Sequence, residues 1–167
     1  LGVIGVGSSN YGVAGVIQPQ GQVIDQARPI VNTPVINLGN VRIGSASPTQ
    51  FLSVPNQASG NTQAALNASI SAAAPISASG SFNLLAPGAT NANTLLVGMN
   101  TASAGAIGGS ATIAFVSDAS NVGDCAPNCQ LTLASQNVAV SGAVYRLASP
   151  AIGSGPISLA ARVGNLT

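Results

Sequence analysis

The stretch Ala64-Ala65-Leu66-Asn67-Ala68-Ser69-Ile70-Ser71-Ala72-Ala73-Ala74-Pro75 decides the fold class. Its alanines make it the best helix candidate in the chain, one that Pro75 would end. Asn67, Ser69 and Ser71 interrupt it, however, and the apolar residues Leu66, Ala68 and Ile70 recur at every second position. A period of two puts those three on one face of a strand. With this stretch read as β, helix signals are nearly absent. Short apolar runs alternate with Gly, Pro, Asn and Ser clusters along the rest of the chain, which predicts an all-β fold.

Working outward, the runs predict strands at Val35–Ile43, Gln50–Val54, Ala64–Ser71, Ile76–Leu84, Thr94–Met99, Ser110–Ser117, Gln130–Leu133 and Gln136–Tyr145. Spacing of this kind is that of a β-sandwich. The core candidates are Ile36, Leu38, Leu52, Val54, Leu66, Ile70, Phe82, Leu84, Leu95, Val97, Ile113, Phe115, Val138, Val140 and Val144. Pro87-Gly88 reads as a turn, and Gly105 to Gly109 as the next loop.

Charge is almost missing. Of 167 residues, three are aspartates (Asp25, Asp118, Asp124) and four are arginines (Arg28, Arg42, Arg146, Arg162), and there is no Glu, Lys, His or Trp. Charged residues make up 4% of the chain, against roughly a quarter in ordinary domains. Without His or Glu the chain lacks the usual proton-transfer groups and cannot build a Ser-His-Asp or Cys-His pair, so it is not expected to be an enzyme. Four arginines without lysine cannot coat a phosphate backbone, so no nucleic-acid partner is expected. No apolar run approaches the ~18 residues of a membrane span, and no membrane insertion is expected. No basic-then-apolar leader opens the chain, so any signal peptide is expected to have been removed. Low charge also weakens repulsion between copies, as suits a structural protein.

The only cysteines are Cys125 and Cys129. With no His nearby they cannot supply the four ligands of a structural zinc. They read as a local disulfide in an oxidising, extracytoplasmic compartment, or else as two free thiols in a surface loop. Asp118, Asn121, Asp124 and Asn128 offer oxygen ligands around them, but the spacing matches no EF-hand, and Asx residues commonly serve turns. No metal, cofactor or catalytic residue is assigned. Tyr145 is expected to pack beneath the linker Leu147–Pro150.

The two ends of the chain resemble each other. Val23, Ala27, Pro29, Ile36 and Leu38 match Val144, Ala148, Pro150, Ile157 and Leu159, each 121 positions later. Arg42-Ile43-Gly44 then matches Arg162-Val163-Gly164 with one residue deleted. Ile157–Gly164 therefore reads as the first strand of a second module. Tyr11–Ile17 reads as the last strand of a preceding one, its Val13-Ala14-Gly15-Val16 resembling Val140-Ser141-Gly142-Ala143. Either the chain is a section of a longer array of modules about 121 residues long, or these strands, carrying Tyr11, Val13, Val16, Ile157, Leu159 and Val163, complete neighbouring sandwiches by strand addition.

Phe82-Asn83-Leu84-Leu85-Ala86-Pro87-Gly88-Ala89-Thr90, then Leu95-Leu96-Val97-Gly98-Met99, Gly109–Ser117 and Val138–Val144 together carry a family resemblance. With the opening Ile36–Gly44, they resemble the immunoglobulin-like modules of the Hydin-type (ASH-like) superfamily, especially the bacterial choice-of-anchor D repeats. The resemblance spans roughly Pro34–Pro150 and departs from the family at the Cys125–Cys129 loop. It implies an immunoglobulin-like β-sandwich of seven to eight strands, often in tandem in secreted or surface-attached bacterial proteins, and no catalytic residues.

The expected organisation is an N-terminal extension over 1–33, a sandwich over 34–150 and a linker with a next strand over 151–167. The expected role is that of a structural subunit or repeat of an extracellular fibre at the bacterial surface, partnered by copies of itself or flanking modules. An adhesin or carbohydrate-binding module, partnered by surface glycans, is the alternative.

Overall fold

A computed structural model describes residues 23–60, 62–123, 125, 128–151, 153 and 155. The Ala-rich stretch is a strand. It forms β4 (Ala65–Ala72), with Ala65, Leu66, Ala68 and Ile70 buried. The other strands are β1 (Val35–Arg42), β2 (Thr49–Phe51), β3 (Val54–Pro55), β5 (Ile76–Ser79), β6 (Ser81–Leu85), β7 (Thr90–Asn91), β8 (Leu96–Met99), β9 (Gly105–Asp118) and β10 (Gln130–Tyr145). One turn of 3-10 helix, Ala119–Asn121, is the only helical element among the described residues.

The strands form two layers. One sheet has the order β1-β10-β9-β4-β6, and the other β2-β8-β5. The β3–β7 pair continues the second layer, because it joins the same two chain runs as β2 and β8. Taken as runs, β2–β3, β5–β6 and β7–β8 are each one strand with a break. With β1, β4, β9 and β10 this makes seven strands, and an entry segment adds an eighth.

That entry segment is Asp25–Asn32, which lies before the expected boundary at Pro34 yet belongs to the sandwich. Asp25 and Pro29 make isolated bridges to Gln63 and Asn56. Ile30 and Asn32 donate backbone N–H groups to Pro55 and Ser53, so the segment runs antiparallel to β3. After Pro34 the chain changes layers, and β1 pairs parallel with β10.

The same change of layer occurs at Gly80. β5 pairs with β8, whereas β6, one residue later, pairs with β4. Gly80 has φ +113°, and a Cβ there would lie 1.8 Å from the Thr94 carbonyl oxygen. Only glycine allows both the backbone turn and the close approach.

Thirteen of the fifteen expected core residues are buried, from Ile36 to Val144. The mixed packing of Phe115, Leu52, Leu66, Leu95, Met99 and many alanines and valines fills the space between the layers. Leu38 is only half-buried, packed at the core margin. Leu84 is corrected outright. It is 52% exposed at φ +53°, because the β4–β6 register slips between Leu66 and Ala68 and turns Leu84 outward.

The Pro87-Gly88 turn is present. Ala89 donates to the Ala86 carbonyl and Gly88 has φ +76°, the geometry of a type II turn. The expected loop from Gly105 to Gly109 is instead the start of β9, where Gly109 lies against Ile76 with no room for a Cβ. The two strands expected over 130–133 and 136–145 are one, with a register irregularity between Leu133 and Gln136. Local pattern reads a bulge as a strand end, because both break the period of two.

Gly80→Ala is expected to destabilise the fold by about 1–3 kcal/mol or more, while Gly108→Ala, at a site with open space, stays within about 0.5 kcal/mol. Urea unfolding midpoints of the two variants against the native chain are the check.

Candidate functional site at the two ends of the sandwich

The entry segment contains Pro29 and runs up to Pro34, so it has fewer N–H donors than a regular strand. Three uncharged side chains bond its main chain where a regular ladder is missing, mostly as acceptors of the N–H groups it retains. The Ser117 hydroxyl oxygen accepts the Ala27 N–H at 2.9 Å. The Gln136 amide bonds twice, its oxygen accepting from Val31 and its nitrogen donating to the Pro29 carbonyl, both at 3.1 Å. Asn56, wholly buried, accepts from Arg28 and Ala58 and donates to the Ala64 and Leu85 carbonyls. That amide therefore uses all its bonding capacity, which removes the cost of burying it.

Beside this clamp lies the one buried charge among the described residues. Asp118 accepts from the Ser120 N–H at 3.0 Å, the Asn67 amide at 2.9 Å and the Gln130 amide at 2.8 Å. Hydrogen bonds from Ser120, through its side chain and backbone N–H, outweigh the opposing effect of burial. With those from Asn67 and Gln130 they hold the Asp118 carboxyl down at about 2. Asn121 accepts from the Ala65 N–H and donates to the Gln63 carbonyl. Both Asp118 and Asn121 are thus committed to bracing β4, β9 and the entry end, whereas Asp124 lies outside the described residues. Cys125 and Cys129 are joined by a disulfide that closes the β9–β10 loop, and the Cys129 carbonyl accepts from Ala119.

Two polar hollows open at this end. One, of about 390 Å³, is lined by Asp118, Ser120, Asn128, Cys129 and Gln130. The other, of about 350 Å³, is lined by Asp25, Gln26, Arg28, Ser59 and Gln63. None of these lining residues is aromatic.

The exit lies at the opposite end. β10 starts opposite Asp118, next to the entry, and runs sixteen residues to Tyr145, which pairs with Arg42. At ~3.3 Å per residue the strand is about 50 Å long. Tyr145 is 56% exposed, and Arg146–Pro150 are exposed beyond it. The expected packing of Tyr145 beneath that linker does not occur. The residues expected to add strands to neighbours (Tyr11, Val13, Val16, Ile157, Leu159 and Val163) lie outside the described residues.

Sequence reasoning missed Asn56, Ser117 and Gln136 as the clamp. Each is an ordinary polar residue in its local pattern, and its partners in the entry segment lie 28 to 107 positions away. The available signal was indirect: a proline-containing segment has to find bonding partners outside a regular ladder.

Because its folded-state value lies below the usual ~3.9, Asp118 contributes stability that is complete above pH ~4 and is lost as pH falls through about 2. Asp118→Asn is expected to cost about 1–3 kcal/mol at pH 7 by leaving facing amide donors without an acceptor. The gap to the native chain should narrow as pH approaches 2, which urea titrations at pH 7 and pH 2.5 would measure.

No family model and no curated protein matches the chain. Among solved structures it is similar to the ASH / PapD-like domain of human CEP192 (PapD-like domain 7), at 12% identity and a TM-score of 0.50. The match covers 83% of this chain and 99% of that one. The switch of the first strand between layers, the parallel β1–β10 pair and this likeness agree: the chain has the ASH-like, immunoglobulin-like β-sandwich fold.

Proposed function

We propose that the chain is a non-catalytic structural repeat of an extracellular fibre at the bacterial surface, with neighbouring sandwiches connected through their terminal strands. The observation that carries this reading is the placement of the ends. The chain is clamped at one end of the sandwich at Asp25 and leaves from the other at Tyr145. Such a module transmits tension along its length and joins others in a line. The scarcity of charge supports close packing of neighbours, and the disulfide supports an oxidising compartment.

Neighbouring sandwiches are joined along one polypeptide in this reading. The first-strand position is already occupied by Asp25–Asn32 of the same chain, so a strand from a separate copy would have to displace a segment held by Asn56, Ser117 and Gln136. Ile157–Gly164 then pairs within the following module, and Tyr11–Ile17 belongs to the preceding one. Negative-stain microscopy of the purified chain at neutral pH is expected to show single compact sandwiches, unchanged by removal of residues 1–22. Long uniform filaments would overturn the single-chain arrangement and establish strand donation between copies.

The alternative, an adhesin or carbohydrate-binding module, draws on the hollow that gathers Asp25 and Arg28, two of the few charges in the chain. Carboxylate, guanidinium and amide groups can bond sugar hydroxyls, but the lining offers no aromatic face for stacking. Micromolar binding to any sugar on a glycan array would favour this alternative over a purely structural role.

A further inference from the structure

We propose that residues 146–164 are the opening strands of a second sandwich, and that it follows the first with no linker between them. The inference rests on the repeat reading above and adds the geometry of the joint. Three observations carry it.

The first is a reciprocity of burial. Val144 is 2% exposed in the core, while its counterpart Val23 is 84% exposed. Ala27 is likewise 2% exposed, and its counterpart Ala148 lies in the open. Each member of a pair is buried only where its own sandwich surrounds it. Val23 thus carries the pattern of a last strand belonging to a sandwich upstream, and Ala148 that of an entry segment belonging to one downstream.

The second is the one-residue deletion. Five residues, Leu38-Gly39-Asn40-Val41-Arg42, correspond to the four of Leu159-Ala160-Ala161-Arg162. In β1 the pairing steps from Asn37↔Ser141 to Asn40↔Ala143, so Leu38 and Gly39 together face the single residue Gly142. This is a β-bulge, and it explains φ +75° at Gly39. The counterpart lacks one residue at this point and has alanines where the glycine stood. Removal of the extra residue leaves a regular strand that no longer needs a left-handed position. The deletion therefore falls within the five residues that hold the bulge.

The third is the length of the joint. The counterpart of Tyr145 is Ile24, and the next residue, Asp25, is already bonded to the sandwich through its N–H to Thr62 and its carbonyl from Ala64. By the same correspondence Arg146, directly after β10, takes the first bonded position of the next sandwich. The match of Val13–Val16 to Val140–Ala143 is displaced by six residues from this frame. The frame used here is the one that burial fixes at both ends. With both sides of one peptide group held by strands, few backbone angles remain free, and consecutive sandwiches form a stiff rod, one about every 121 residues.

The test extends the full chain. Residues 1–164 are followed directly by residues 45–145, which supplies the rest of a second sandwich after the native Gly164. In the 167-residue chain the amides of Arg146, Ala148 and Ala151, the counterparts of the bonded Asp25, Ala27 and Ile30, are expected to exchange rapidly with solvent. In the extended chain they should slow by at least ~100-fold, as for bonded strands. Relaxation measurements should show the two sandwiches tumbling as one body, and six Gly/Ser residues inserted between Tyr145 and Arg146 should uncouple them. Ala148→Asp should leave the 167-residue chain unchanged and unfold only the second sandwich of the extended one. Exchange that stays fast, or an Ala148→Asp variant silent in both chains, overturns the assignment of 146–164. Slowed exchange with independent tumbling overturns the linker-free joint while leaving the repeat reading intact.

Discussion

The sixteen residues of β10 have to satisfy two edges at once, and the architecture follows from how they do so. One edge pairs with β9 over almost the whole length. The other is divided. From Ala139 onward it pairs with β1, running parallel. Before that point Gln136 reaches across with its side chain and bonds the entry segment, which has moved to the other layer. A single continuous first strand on this edge would leave β3 without its neighbour, so the layer change at Pro34 lets one stretch of chain serve both sheets. The same solution recurs on the far side of the sandwich, where β5 and β6 divide their pairing at Gly80. The sandwich is thereby closed at two opposite corners by the chain itself.

The internal polar groups are handled almost without charge. Amides and hydroxyls of Asn56, Ser117, Asn121 and Gln136 take the place that ion pairs hold in other proteins. Neutral groups cost less to bury than charges, and when fully bonded they still define a single arrangement. No buried side-chain nitrogen or oxygen among the described residues lacks a partner. Asp118 is the exception in charge but not in principle, since donors from three residues surround its carboxylate.

Much of this was legible from local pattern. The alternation Leu66, Ala68, Ile70 gave the class, because side-chain direction in a strand has a period of two whatever the surroundings. Pro87-Gly88 gave its turn for an equally local reason. Leu84, the glycine-rich start of β9 and the unbroken length of β10 were misread, each for one cause: register slips and close strand contacts are set by the partner strand. The entry segment escaped notice because its bonds come from side chains distant in the chain.

The sequence by itself determined the all-β class, most of the core and the correspondence between the two ends. These depend on alternation, composition and repetition, all of which are carried by neighbouring residues or by simple comparison along the chain. Only the tertiary structure decided where the sandwich begins, which residues clamp its entry and that entry and exit lie at opposite ends of β10. Those properties depend on which groups meet across the layers, and long-range pairing leaves no local mark in a chain so rich in Ala, Gly, Ser and Asn.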